Sequence, residues 1–72
     1  MRQKIEKILK ETLKIDQLPE NPTQENTENW DSLHHLNLVI ELEMEFDIEL
    51  EPEEIAIMTS IEQIEAIIKT KL

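Results

Sequence analysis

The sequence predicts an all-α domain. The expected form is a four-helix bundle, three longer helices and one short one, with a long loop between the first and second. Three observations carry this. Apolar residues recur at helical spacing in three separate segments, with charged residues on the faces between them. The only stretch with strand character, "DIEL", is too short to build a sheet. Two prolines and three asparagines gather without apolar periodicity in "DQLPENPTQENTEN", the sign of a long surface loop between helices. The 72 residues fit one domain, 1–72, with a thin core and little stability to spare.

The first segment, "RQKIEKILKETLKI", places Ile5, Ile8, Leu9 and Leu13 on one face, with Lys and Glu on the others. The loop that follows runs for about a dozen residues, a length common in functional or mobile segments. A second helix is expected from Asp31–Ser32 to about Phe46. Asp31 is placed to cap it, because its carboxylate can accept from the free N–H groups of the first turn. "DIELEPEE" breaks the pattern, and Pro52 suits the first position of a short helix through about Met58. Thr59 or Ser60 can cap the last helix, and Thr59 with Glu62 has capping-box spacing. Ile61, Ile64, Ile67, Ile68 and Leu72 then form its core stripe. The chain has no glycine, so helix ends must rely on Asn or other polar residues in place of the favoured terminator.

The second helix is more apolar than one stripe requires. At about 100° per residue, with Leu33 at zero, Leu36, Ile40 and Met44 fall within about 60° of it. Leu38, Val39, Leu42 and Phe46 fall on the opposite half. Asn37, Glu41 and Glu45 separate the two stripes on one side and Glu43 on the other. One stripe faces the other helices. The second is extra core or an exposed strip bordered by acids, which is the character of a docking surface.

The formal charge is -10, and no Lys or Arg lies between Ile15 and Ile68, where fifteen acids lie. Such a field repels nucleic acid and favours basic protein partners; it also argues for a monomer. No apolar run reaches the roughly 18 residues that a membrane span needs, and "MRQKIEKILK" lacks the apolar core of a signal peptide. Cysteine is absent, which fits a reducing compartment. A soluble, cytoplasmic protein is expected.

No catalytic set emerges. Ser32 beside His34 or His35 lacks the geometry of a nucleophile with its base, and no oxyanion site is evident. Adjacent histidines on a helix diverge by about 100°, so they make a poor metal pair. His35 belongs to the core-facing half and His34 to the exposed one. The chain is not expected to be an enzyme, nor to hold a metal. Ser32 remains as an acceptor. In the first turn it stands at the positive end of the helix dipole, where an attached phosphate is stabilised. The plainer reading is a polar residue beside an Asp cap.

The residues "WDSLHHLNLVIELEMEFDIELEPEEI" and "MTSIEQIEAIIKTKL" resemble the acyl carrier proteins and the related peptidyl carrier domains. In that family a 4′-phosphopantetheine arm is attached to the serine of an Asp-Ser-Leu motif at the start of the second of four helices. The motif here is Asp31-Ser32-Leu33. The resemblance covers essentially the whole chain, including the long first loop and the acidity. It implies Ser32 as the attachment site, Asp31 as cap and motif residue, and Leu33 beside them. It also implies Leu36, Asn37, Ile40, Glu41, Glu43 and Met44 as a partner-facing surface, and Leu38, Leu42, Phe46, Ile64 and Ile68 as core. The cofactor, donated by coenzyme A, would supply the thiol that the protein lacks.

The implied partners are a phosphopantetheinyl transferase and acyl-transferring or acyl-activating enzymes with basic docking surfaces. Fatty-acid, polyketide or related specialised biosynthesis is the expected setting. Trp30, His34, Asn37 and Met44 depart from the commonest fatty-acid carriers and look more like specialised stand-alone carriers. An aminoacyl or peptidyl carrier, or an unmodified acidic helical adaptor, is the alternative. Trp30 itself reads as an anchor that packs the loop end onto the helix, like a hydrophobic staple.

Overall fold

The computed structural model describes all residues, 1–72. It contains four helices and no strand: α1 Arg2–Leu13, α2 Ser32–Phe46, α3 Pro52–Ile57 and α4 Ile61–Lys71. It is a small helical bundle in which α1 packs against both α2 and α4.

The apolar periodicity decides what is buried. Ile5, Ile8, Leu9 and Leu13 of α1 join Leu38, Val39 and Leu42 of α2 and Ile61, Ile64, Ile67 and Ile68 of α4 in one core. Trp30, Leu50 and Met58 complete it from the connecting segments. Each Leu or Ile so buried contributes about 1.5–3 kcal/mol of transfer free energy. Phe46, expected in the core, sits half-buried at its rim, where the Lys4 ammonium lies 5.8 Å from its ring centroid. Leu72, expected in the α4 stripe, is 69% exposed because it follows the last helical residue, Lys71, and projects past the packed helix.

Without glycine, α1 and α2 both end on a left-handed residue that carries a side chain, Lys14 at φ 58° and Asp47 at φ 54°. A Cβ there costs about 1–2 kcal/mol. In each case the next residue offsets this. The N–H groups of Ile15 and Ile48 donate back to the carbonyls of Lys10 and Glu43, both at 3.1 Å, and both isoleucines pack on the core.

Pro52 opens α3 as expected, and Glu54 reaches back to accept from the Glu51 N–H at 2.8 Å. α4 is capped by Ser60, which accepts from the Gln63 N–H at 3.2 Å, and not by a Thr59–Glu62 box. The reason lies in the long loop. The Thr59 carbonyl accepts from the Gln24 N–H at 2.8 Å, and Thr23 and Ser60 form an isolated β-bridge, so Ser60 stays extended. The Pro22 carbonyl then takes the N–H of Ile61 at 3.0 Å, one of the helix's free first-turn donors. The long loop is therefore strapped to the start of α4. Reciprocal bonds between Thr23 and Asn26, at 2.7 and 3.1 Å, stiffen it from within.

Candidate functional site

The loop is also fastened at its far end, and this fixes where α2 begins. Asn29, in the left-handed region at φ 67°, donates through its side-chain amide to the Leu13 carbonyl at 2.8 Å. That carbonyl is one of those a helix C-terminus leaves unpaired. Trp30 follows and is buried, 3% exposed. Its indole stacks on His35 with ring centroids 6.2 Å apart, and its Nε1–H donates to His35 Nδ1 at 2.9 Å. The other ring nitrogen of His35 lies 2.9 Å from the carbonyl of Ile55 in α3. Trp30 and His35 stand just before and in the first turns of α2, the two positions that form a hydrophobic staple. The expected anchor is present, with a polar bond added.

Asp31 is the cap. Its Oδ1 accepts from the His34 N–H at 2.9 Å and from the His34 ring Nδ1 at 2.8 Å. These two bonds, the backbone one first, hold its carboxylate below the usual Asp range. His34, expected to stand exposed, is half-buried because its ring folds back on this carboxylate. The two histidines thus point apart, one to Asp31 and the other to Trp30 and Ile55.

Ser32 is the first residue of α2 and is exposed. Because Asp31 carries the cap, the Ser32 hydroxyl takes no part in it. It stands at the positive end of a 15-residue helix, whose free first-turn N–H groups favour an anion at that end. The residues at this end therefore suit a phosphodiester on the serine.

Beyond Ser32 the strip anticipated from helix angles lies open. Leu33, Leu36, Ile40 and Met44 are 66%, 56%, 51% and 69% exposed, while Leu38 and Leu42 on the opposite face are fully buried. Ile57 of α3 adds another exposed apolar side chain. The edges of the strip differ. Asn37 and Glu41 line a groove shared with Glu11 and Lys14 of the α1 side. Glu43 is half-buried, and its Oε2 accepts from the Leu50 N–H at 2.9 Å, so it braces the turn into α3. The angular reading placed Glu43 on the border of the strip but gave no sign of this bond. Nor did it reveal the Trp30–His35 or Asn29–Leu13 bonds. A Trp just before the cap with a His in the next turn is the one sequence signal that could have suggested the first of these.

Comparison with protein-family models and with curated proteins finds no match to this chain.

Proposed function

We propose that this chain is a carrier protein on which Ser32 bears a 4′-phosphopantetheine arm through a phosphodiester. The observation that carries this reading is the pairing of an exposed serine, left out of its own helix cap, with an uncovered apolar strip on the same helix. The arm would supply a thiol to hold acyl groups as thioesters for delivery to partner enzymes. Asp31 fixes the start of α2 and so the position of the serine. Leu33, beside Ser32, begins a docking face that continues through Leu36, Ile40 and Met44. The face suits a phosphopantetheinyl transferase and acyl-transferring or acyl-activating enzymes of fatty-acid, polyketide or related biosynthesis, acting in the cytoplasm. The protein itself would perform no catalysis: both nitrogens of His35 and Nδ1 of His34 are engaged away from the serine. Trp30 and His34, which depart from common fatty-acid carriers, favour a specialised cargo, an aminoacyl or peptidyl group included.

The test is intact mass after incubation with coenzyme A, magnesium and a broad-specificity phosphopantetheinyl transferase. One phosphopantetheine should be gained by the wild type and none by Ser32→Ala. No gain with several such enzymes would overturn the reading. An unmodified adaptor would instead keep all its partner binding and biological activity in Ser32→Ala.

A further inference from the structure

The acids around the α2 strip are not equivalent, and their pairing says which way a partner faces. Glu45 is bound to Lys4 at 3.2 Å. Glu41 shares its groove with Lys14, and Lys7 stands with Lys4 beside Glu45. The α1 edge of the strip is therefore a mixed border of lysines and glutamates. The α3 edge carries far less compensation. No Lys or Arg occurs from Ile15 to Ile68, and the one basic side chain that reaches α3, Lys71, is held by Glu54 at 2.8 Å, with Glu51 and Glu49 also near enough to act on its charge. Glu43 is turned inward to the Leu50 N–H. Glu49 and Glu53 remain, exposed and outside any ion pair, with Glu51 between them at the start of α3. Two hydrogen bonds, Leu50 to Glu43 and His35 to Ile55, set this acidic edge alongside α2.

We propose that the strip binds a protein surface of one-sided charge: an apolar ridge flanked by cations along the α3 edge only. Glu49 and Glu53 then supply the attraction, and Glu41, although it lies on the strip's border, does not. One-sided charge fixes the direction in which a partner seats, since a reversed partner brings its cations to the lysine-bearing edge. This rests on the docking reading of α2 and names the partner's chemistry; it is independent of whether Ser32 is loaded.

The test uses two helical probe peptides with the same leucine stripe. One carries a lysine row on one flank and glutamines on the other; the second carries lysines on both. Affinities are measured by titration at about 0.15 M salt, where a screening length of about 8 Å leaves only local charges effective. Glu49→Gln with Glu53→Gln should weaken the one-sided peptide at least about threefold, the scale expected for two exposed pairs. Glu41→Gln should leave it unchanged, and the second lysine row should add less than about twofold. In Lys7→Gln with Lys14→Gln the second row should gain strength. The proposal is overturned if the Glu41 change weakens binding as much as the α3-edge pair. It is also overturned if the wild type binds the two-row peptide more than about twofold tighter than the one-row peptide. If neither peptide binds, the docking face itself is wrong, whatever Ser32 carries.

Discussion

Trp30 Nε1 donates to His35 Nδ1 at 2.9 Å, and His35 Nε2 meets the Ile55 carbonyl at the same distance. A carbonyl can only accept, so Nε2 carries the proton and Nδ1 does not. One buried imidazole thus joins the loop end, α2 and α3. Nitrogen NMR of His35 should show the Nε2–H tautomer, and an Nδ1–H form would contradict this arrangement. Trp30→Phe keeps an aromatic but smaller side chain and leaves Nδ1 without a donor. It should cost about 1–3 kcal/mol in denaturant unfolding.

Asp31 and Ser32 should separate cleanly in stability. Asp31→Ala removes the bond to the His34 N–H and should cost about 0.5–2 kcal/mol, whereas Asp31→Asn retains an acceptor and most of the stability. Ser32→Ala touches neither cap nor core and should stay within about 0.5 kcal/mol of wild type. Urea unfolding of the three variants checks the order.

The two faces of α2 should answer oppositely to substitution. Leu38→Ala or Leu42→Ala opens a cavity among fully buried neighbours and should cost about 2–5 kcal/mol. Leu36→Gln and Met44→Gln, on the exposed strip, should change stability by less than about 0.5 kcal/mol while, on the proposed carrier reading, weakening transferase docking. The paired readout is thermal melting against the KM for loading.

Stability should fall in acid. Lys71 lowers the pKa of Glu54, Arg2 lowers that of Glu65 and His34 lowers that of Asp31. A carboxylate depressed in the folded state stabilises fully above its unfolded value, near 3.9–4.3 for Asp and Glu. That contribution disappears as pH falls through the folded value. The melting temperature should therefore drop below about pH 4, and Glu54→Gln with Glu65→Gln should flatten the drop. A drop of the same steepness in the double variant would rule these two pairs out as its cause.

Much of the helical frame was legible because it depends on local periodicity. The α2 angles separated the exposed Leu33–Met44 row from the buried Leu38 and Leu42, and Asp31 and Pro52 marked their helix starts. What the sequence left open or missed lies where distant segments meet or a helix runs out. Thr59 has capping-box spacing with Glu62, but the Thr59 carbonyl is held by Gln24 from the other half of the chain. Leu72 keeps the α4 period but lies past the last turn. Glu43 looks like any surface acid until the turn into α3 brings the Leu50 N–H to it. The serine's place on α2 followed from sequence; its release from the cap depended on Asp31 making the bond instead.

The strap of Pro22 and Gln24 over Thr59 and Ile61 also has a consequence in time. Its donors and acceptors come from opposite halves of the chain, so closing it costs loop entropy that no local contact offsets. It should form late in folding, after α4 has found α1, and it should open as a unit. Amide exchange at Gln24 and Ile61 should then proceed at matched rates, distinct from those of residues inside α2. On that order of events the first loop would be the molecule's final clasp, closing over the start of α4 last and opening from it first.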